Sequence, residues 1–172
     1  SITEAGSGGT DVVAIVTTID FVNMPAASFN EIEQIRFAGS NKTGTFTGAQ
    51  LTGETLSIRE TAAGTSNLII NVGSGTTVDF SNITASGFTS GSDTITINGQ
   101  DGGNENITAP NLAATIIAGT GNDTIDGGDG ADTLTGGSGD DVYLFDTGDV
   151  DSGESITEAG SGGTDVVAIV TT

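Results

Sequence analysis

The sequence has no cysteine, histidine or tryptophan, and its only basic residues are Arg36, Lys42 and Arg59. The lack of Cys and His excludes disulfides, thiolate nucleophiles, imidazole bases and the usual zinc and copper ligands. The lack of a basic patch excludes nucleic acid as a partner. No apolar run approaches the roughly 20 residues that span a bilayer, so the sequence predicts no transmembrane segment.

Acidic residues are abundant instead: 23 Asp and Glu give a net charge of −20 at pH 7. Carboxylate, amide and backbone carbonyl oxygens are hard donors, which suit Ca²⁺ and, less well, Mg²⁺. Glycine is also frequent, at 28 of 172 residues. Plentiful β-branched residues and few strong helix formers favour strands over helices. This composition fits a thin core repeated many times better than one large core.

Residues 118–144 consist of three consecutive nine-residue units, AGTGNDTID, GGDGADTLT and GGSGDDVYL. Two glycine positions, one aspartate position and one apolar position recur in register: Gly119, Gly128 and Gly137; Gly121, Gly130 and Gly139; Asp123, Asp132 and Asp141; Ile125, Leu134 and Tyr143. Each unit therefore reads as a glycine-rich turn with one carboxylate, followed by a short strand with one large apolar side chain.

This pattern, G-G-x-G-x-D-x-U-x, resembles the repeat of the RTX (haemolysin-type calcium-binding) family. The resemblance implies a parallel β-roll whose glycine-rich turns bind Ca²⁺. It implies as ligands the glycine carbonyls and the aspartate of each unit: Gly119, Gly121, Asp123, Gly128, Gly130, Asp132, Gly137, Gly139 and Asp141. The variable positions Asn122, Asp129 and Asp140 are expected to be solvated.

Two units make one coil of two strands and two turns, so turns on the same side of the roll are separated by two nonapeptides. We expect Asp123 to stack with Asp141, and Asp132 to face the other side. One turn cannot supply the six to eight oxygens that Ca²⁺ takes, whereas two stacked turns can. The apolar side chains should stack in the core, with Ile107, Ile125 and Tyr143 on one side and Ile116 and Leu134 on the other.

Outside the three units the carboxylate position persists irregularly and is lost at Ala114. The segment DTGDVDSGE does not fit an EF-hand loop, so it is either a second, less regular cation site or a solvated turn. The weaker metal-ligand candidates are Asp11, Glu105, Asp165, Asp146, Asp149 and Asp151.

The two ends of the chain have the same sequence, SITEAGSGGTDVVAIVTT, at positions 1–18 and again at 155–172. We expect one unit of a longer tandem array, spanning 1–154, plus the opening of the next copy. The alternative is an engineered duplication of the end segment. The predicted division is a strand-rich part of the repeat at 1–100, an RTX β-roll at 101–154, and the start of the next copy at 155–172.

The predicted fold class is all-β, a parallel β-roll or β-solenoid with calcium-binding glycine-rich turns. Short strands recur about every 10 to 14 residues through residues 40–100. The alternative for that region is a small β-sandwich joined to the β-roll. A short helical turn at residues 28–35 and a strand at residues 33–37 are both open, and mostly strand is favoured.

The sequence predicts a structural protein and not an enzyme, because no catalytic motif accompanies the repeats. The resemblance implies a unit of a large secreted bacterial RTX protein or adhesin, exported by type I secretion and located outside the cell or on its surface. Expected partners are further copies of the repeat, in a fibre, adhesin stalk or surface layer, and a cell-surface or matrix ligand. The alternatives are a carbohydrate- or ligand-binding adhesive module and the calcium-dependent C-terminal folding domain of a secreted enzyme.

Overall fold

The computed structural model describes residues 9–88, 92–158 and 163–170, which form short strands, one α-helix and one 3₁₀ helix. The helices are α1 (Gly48–Leu51) and the 3₁₀ helix Ala26–Ser28. The strands are β1 (Val12–Ile15), β2 (Ile19–Asp20), β3 (Gln34–Phe37), β4 (Thr43–Thr47), β5 (Ser57–Glu60), β6 (Asn67–Asn71), β7 (Thr77–Asp79), β8 (Thr84–Ser86), β9 (Thr94–Asn98), β10 (Asn106–Thr108), β11 (Thr115–Thr120), β12 (Thr124–Asp126), β13 (Thr133–Ser138), β14 (Val142–Phe145), β15 (Ser155–Thr157) and β16 (Val166–Ile169).

Within the described ranges every strand pairing is parallel, and the strands form three sheets. The first sheet has the order β1-β3-β5-β8. The second has the order β2-β4-β6-β9-β11-β13-β15, and the third β7-β10-β12-β14-β16. Because successive coils add neighbouring parallel strands to shared sheets, the protein is a parallel β-solenoid. The predicted fold class is confirmed.

The coil length varies along the chain. It increases from the step between Val12 of β1 and Gln34 of β3 to the step between Asn67 of β6 and Thr94 of β9. Further on, Thr115 of β11 pairs with Thr133 of β13, which is a much shorter step along the chain. The first sheet ends at β8 and the third begins at β7, so the coils β5–β7 and β8–β10 have strands on three sides, whereas the coils from β11 onward have strands on two. In the coils before β5, the 3₁₀ helix Ala26–Ser28 and α1 take the place of a third strand in chain order. The coil of two nonapeptides that the sequence predicts is this two-sided part.

The core is a set of columns of apolar side chains that point inward on alternate strand positions. One column runs through the second sheet as Phe46, Ile70, Ile97, Ile116 and Leu134. Another, Ile107, Ile125 and Tyr143, lies in the third sheet. The predicted stacks on both sides of the roll are therefore confirmed, and all of these side chains are buried.

The β-sandwich alternative for residues 40–100 is wrong. Strands β4, β6 and β9 are in-register parallel neighbours in the sheet that continues into β11 and β13. The strand favoured for residues 33–37 forms as β3 (Gln34–Phe37). The helical turn occurs earlier than the predicted range 28–35, as the 3₁₀ helix Ala26–Ser28. In the described residues no helix is long and apolar enough to cross a membrane.

Candidate metal centre

The aspartate of each nonapeptide lies at the last position before a strand. Asp123 precedes β12, Asp132 precedes β13 and Asp141 precedes β14. All three side chains are at most 1 % exposed. The glycine-rich turn carries the chain from one sheet to the next, so the following strand anchors the carboxylate at the edge of the core. The carboxylates of Asp123 and Asp141 lie on one side of the roll and that of Asp132 on the other, as predicted.

One oxygen of each carboxylate links successive coils. The backbone N–H of Glu105 donates to Oδ1 of Asp123 (2.7 Å), and the N–H of Asp123 donates to Oδ1 of Asp141 (2.8 Å). On the other side the N–H of Ala114 donates to Oδ1 of Asp132 (2.7 Å). In all three pairs the donor lies 18 residues before the acceptor. These bonds satisfy backbone donors where the ladder breaks at the turn.

The second oxygen has no such partner. Among the described residues, the buried side-chain oxygens without a hydrogen bond are Glu105 Oε2, Asp123 Oδ2, Asp132 Oδ2, Asp141 Oδ2 and Glu154 Oε1. An unsatisfied buried polar group typically costs about 1–3 kcal/mol, and more when it is charged. Five carboxylate oxygens in one region of the roll therefore need a partner that the protein chain does not supply.

The electrostatics agree with this geometry. Burial raises the pKa of Asp132 to about 7, although the N–H of Ala114 lowers it, and the charge of Glu154 raises it further. Burial likewise raises the pKa of Asp123 and of Asp141 above the usual carboxyl range. The folded chain thus disfavours the charged form of these carboxylates when nothing neutralises them.

Stacked turns also bring backbone carbonyl oxygens into columns. At Gly139, where φ is 130°, a Cβ atom would overlap the carbonyl oxygen of Gly121 in the preceding coil. A Cβ on Gly121 would in turn overlap the carbonyl oxygen of Gly103. Only glycine permits this approach. The result is a column of backbone carbonyl oxygens, which can act as metal ligands, in the same turns that hold Asp123 and Asp141.

Two glycines that the sequence analysis left out lie nearest to the oxygens without partners. A Cβ on Gly127 would lie 2.7 Å from Oδ2 of Asp132. Gly136 is in the same position relative to Oδ2 of Asp141. Each of these glycines is the first residue of its nonapeptide, so each carboxylate oxygen lies close to the first residue of its own turn. The Gly-Gly pair that begins both of these units could have indicated these two positions from the sequence.

The weaker candidates fall into different surroundings. Glu105 is 1 % exposed and continues the column of Asp123 and Asp141, with Oε1 accepting the N–H of Gly75. Asp165 is exposed, and its Oδ1 accepts the N–H of Asp141 (3.1 Å). Asp11 lies at the far end, where its N–H donates to Oε2 of Glu33 (2.6 Å).

The second acidic segment lines a cavity of its own. Asp146 and Asp149 border a cavity of about 320 Å³ together with Asp126 and Asp129 from the preceding coil. Asp149 is buried, and its carboxylate accepts the N–H of Asp146. The charge of Asp149 raises the pKa of Asp146. Asp151 is exposed and does not line this cavity. Asp129, predicted to be solvated, is exposed.

Three glutamates are not among the predicted ligands, although the structure places them at positions equivalent to the nonapeptide aspartates or next to them. Glu33 and Glu154 directly precede β3 and β15, and each accepts a backbone N–H from 22 residues earlier. Glu158 follows β15 and accepts a hydrogen bond from the hydroxyl of Tyr143. Insertions in the turns shift these residues out of the nine-residue register. Glu154 ends the acidic segment DTGDVDSGE, which the sequence left open as a second cation site, and the position before a strand would have indicated Glu33; nothing in the sequence pointed to Glu158.

The donor set fits Ca²⁺. It consists only of carboxylate and carbonyl oxygens, it is buried, and it contains oxygens without partners on both sides of the roll. Hard cations that take many oxygen ligands match this chemistry, whereas soft metals do not. Fold and site therefore define the class: a parallel β-roll with cation-binding turns.

Comparison with protein families identifies the repeats. Residues 113–143 match the model of the RTX calcium-binding nonapeptide repeat (four copies). Searches of curated proteins and of solved structures found no match. The chain thus carries RTX repeats, the predicted resemblance is confirmed, and Ca²⁺ is the ion of these repeats.

Proposed function

We propose that the chain is a calcium-binding structural repeat of a secreted bacterial RTX protein, and that it folds when it meets extracellular Ca²⁺. The observation that carries this proposal is the set of five buried carboxylate oxygens without partners. In each of these side chains the other oxygen accepts a backbone N–H from an earlier coil. A cation in the turns supplies the missing partner to all five.

The ions are assigned to two columns, one on each side of the roll. On one side the acidic ligands are Asp123 and Asp141, with Glu105 extending the column. On the other they are Asp132 and Glu154; burial, and after it the charge of Glu154, raises the pKa of Asp132. Glycine carbonyls complete the coordination, contributed by Gly119, Gly121, Gly128, Gly130, Gly137 and Gly139.

Calcium and folding are coupled because the stacked carboxylates repel one another without it. Neighbouring parallel strands are about 4.8 Å apart. Like charges at that spacing, in a chain of net charge −20, oppose the coil. The free energy of ion binding then becomes free energy of folding. Extracellular modules bind Ca²⁺ in the submillimolar to millimolar range, which is far above cytoplasmic levels. The chain would leave the cell unfolded, by type I secretion, and fold outside.

The repeated end segment supports a continuous array. The sequence VVAI forms both β1 and β16. In β1, which pairs with β3, Val13 and Ile15 are 4 % and 0 % exposed. In β16, which pairs only with β14 in the described chain, Val167 and Ile169 are 56 % and 70 % exposed. A following copy would place its own β3 on β16 and bury this edge. The third sheet would then run into the first sheet of the next copy.

Such an array would form a fibre, an adhesin stalk or a surface layer on a bacterial cell, and its period would be the segment 1–154. The proposed role is mechanical, and RTX β-solenoids are structural repeat folds. The C-terminal folding domain of a secreted enzyme is the less favoured role, because such a domain caps one catalytic domain and does not repeat.

Calcium titration of the purified chain followed by circular dichroism tests the proposal. The β signal should be weak in excess chelator and rise cooperatively with Ca²⁺. Replacing Asp123 and Asp141 together by Ala should shift the midpoint to higher Ca²⁺ much more than replacing the exposed pair Asp129 and Asp140. A full β signal in chelator, or equal shifts in the two double variants, contradicts the proposal.

A second candidate function, binding of a carbohydrate or another ligand, is favoured by one observation. A cavity of about 530 Å³ lies in the three-sided part of the solenoid, lined by residues that include Val22, Thr47, Ala49, Asn71, Thr76 and Gln100. Calorimetry with an oligosaccharide panel tests this role. Binding that Ala49→Trp abolishes would support an adhesive module, and no binding across the panel would count against it.

A further inference from the structure

The outer face of the second sheet carries no charge from β4 to β15. The six strands β4, β6, β9, β11, β13 and β15 read TGTFT, NLIIN, TITIN, TIIAGT, TLTGGS and SIT, without Asp, Glu, Lys or Arg. Along each strand the residues alternate between the core and the surface, and the outward positions are mostly threonine, with some asparagine and isoleucine. The outward side chains of these six strands are called the threonine face below.

The outer faces of the other two sheets are charged. In the first sheet Arg36 of β3 pairs with Arg59 of β5. In the third sheet Asp79 and Asp126 flank Thr108 in one row across the strands. Within the described strands of the second sheet, charge is confined to Asp20 of the edge strand β2. A chain of net charge −20 therefore presents one large uncharged surface.

The threonine face is regular, and hydrogen bonds hold some of its side chains in place. The strands pair in register, so Thr96, Thr115 and Thr133 form one row along the solenoid axis, with a repeat of about 4.8 Å. The hydroxyl of Thr94 donates to Oδ1 of Asn67 in the preceding coil (2.8 Å). Side chains that are already fixed lose little rotamer freedom when a partner packs on them.

The same face offers apolar area. Ile117 is 44 % exposed at its centre, and Ile69 is half-buried in the row of Thr96 and Thr115. Each threonine adds a methyl group beside its hydroxyl. Rows of identical side chains on in-register parallel strands can interdigitate with a second surface of the same kind. The face therefore combines the chemistry and the regularity that sheet-on-sheet packing needs.

We propose that the threonine face is the surface through which two copies of the chain pair side by side. Two molecules of net charge −20 repel each other, and through this face they can approach without burying a charge. Six strands of about five residues measure about 29 Å by about 17 Å, at about 4.8 Å per strand and about 3.3 Å per residue. The pair would bury about 1,000 Å² in total, which is at the lower end for specific interfaces and fits a reversible contact.

This pairing needs the folded coil but not the tandem array. In the array proposed above, every copy would add one such contact, and the contacts would act together to hold two solenoids side by side. Lateral pairing would then turn single solenoids into bundles or sheets.

Sedimentation velocity of the full chain in Ca²⁺ tests the pairing, and we expect a reversible monomer–dimer equilibrium across a concentration series. Thr115→Glu places a carboxylate on the threonine face. The Kd of its dimer should rise by at least about tenfold, because each copy would bury an unpaired charge. Thr124→Glu is the matched control: Thr124 begins β12 as Thr115 begins β11, but it belongs to the third sheet. Its dimer should be as stable as that of the unmodified chain.

Cross-linking gives a second measurement that does not depend on a charged variant. The chain has no cysteine, so a single introduced cysteine reports which faces meet. In Ca²⁺ a bismaleimide should link Thr115→Cys into a covalent dimer and leave Thr124→Cys monomeric. This result decides the case in which Thr115→Glu fails to fold.

The pairing is refuted if the chain sediments as a monomer at every concentration and neither cysteine variant is cross-linked. It is also refuted if Thr115→Glu and Thr124→Glu weaken the dimer equally, because the contact then lies elsewhere. If the monomer instead adsorbs to insoluble cellulose and only Thr115→Glu abolishes adsorption, the face binds a neutral polysaccharide and not a second copy. In all three cases a calcium-dependent circular dichroism signal leaves the proposed function standing. A dimer that forms equally in chelator, with a full β signal, upholds the pairing and contradicts calcium-dependent folding.

Discussion

The backbone N–H of Asp123 donates to Oδ1 of Asp141 over 2.8 Å, although the residues are 18 positions apart. The same carboxylate leaves Oδ2 buried without a partner. One side chain therefore fixes the spacing of two coils and offers an oxygen to an ion. Asparagine keeps a carbonyl acceptor but has no charge, so this substitution separates the two roles.

Asp132→Asn should stabilise the fold without calcium and destabilise it with calcium. Burial raises the pKa of Asp132 to about 7, so the ionised form destabilises the calcium-free fold above that pH. At pH 8 in chelator, we expect the variant to gain about 1–3 kcal/mol in free energy of unfolding. In Ca²⁺ at 100 times the Kd of its site, we expect it to lose about 2.7 kcal/mol of ligand stabilisation. Urea unfolding in Ca²⁺ measures the loss, and the osmolyte concentration that restores the β signal in chelator measures the gain, because an excluded osmolyte such as TMAO strengthens burial and populates the calcium-free fold.

Asp129→Asn is the control for that experiment, because Asp129 is an exposed neighbour in the same nonapeptide. It should change stability by less than about 0.5 kcal/mol in either condition. If Asp132→Asn destabilises the chain equally with and without Ca²⁺, the carboxylate has only a structural role and is not a calcium ligand.

The pH dependence of stability should also reverse with calcium. In the calcium-free fold, burial raises the pKa of Asp132 to about 7, above the unfolded value of 3.8. Between these values the folded state binds the extra proton, so stability is highest at low pH and falls as pH rises from about 4 to about 7. The slope is at most about 1.4 kcal/mol per pH unit for this carboxyl group.

With saturating Ca²⁺ the slope should have the opposite sign, because ligand carboxylates must be deprotonated to bind the ion. Osmolyte-induced folding of the metal-free protein and urea unfolding of the calcium-loaded protein, each at pH 5 and pH 8, measure the two slopes. Metal-free protein prepared by dialysis avoids the pH dependence of a chelator. Stability that rises with pH in the metal-free chain would show that these carboxyl groups are not buried as described.

The sequence predicted the two-sided coils well because their period is regular. A strict nine-residue register determines which side chains stack, so the column of Ile107, Ile125 and Tyr143 followed from spacing alone. The three-sided coils have no fixed period: Val12 pairs with Gln34, whereas the step from Asn67 to its partner Thr94 is several positions longer. Strand signals alone therefore left a sandwich open for that part.

The candidate site was predicted where the turn length is constant and missed where it varies. Asp132 and Glu154 are equivalent in the fold, since each accepts a backbone N–H from the preceding coil. Their spacing is 22 residues, which breaks the repeat. Carboxylate oxygens of Glu158, Asp141 and Asp165 lie within 4.8 Å of one another through a tertiary contact, which no local pattern encodes.

Gly139→Ala should strongly destabilise the roll. Its φ of 130° is unfavourable for alanine, and the added Cβ would overlap the carbonyl oxygen of Gly121. We expect a loss of more than about 3 kcal/mol in calcium, since strain and overlap add. Gly53→Ala is the control: φ there is 73° with nothing within 4 Å of the added Cβ, so only about 1 kcal/mol should be lost. Thermal unfolding of both variants in Ca²⁺ measures the difference, and equal losses would contradict the close stacking of these turns.

Extending the chain should protect the exposed edge of β16. If the sequence of residues 19–38 is appended after Thr172, a second copy of β3 becomes available to pair with β16 as β3 pairs with β1. Burial of Val167 and Ile169 should slow hydrogen exchange at the β16 amides by roughly 100-fold in Ca²⁺, because each fully buried aliphatic side chain contributes about 1.5–3 kcal/mol. An extension in which the residues equivalent to Ile35 and Phe37 are Asp should give no protection. If the unmodified extension leaves exchange at residues 166–169 unchanged, successive copies do not continue one solenoid, and the proposed fibre would need another joint.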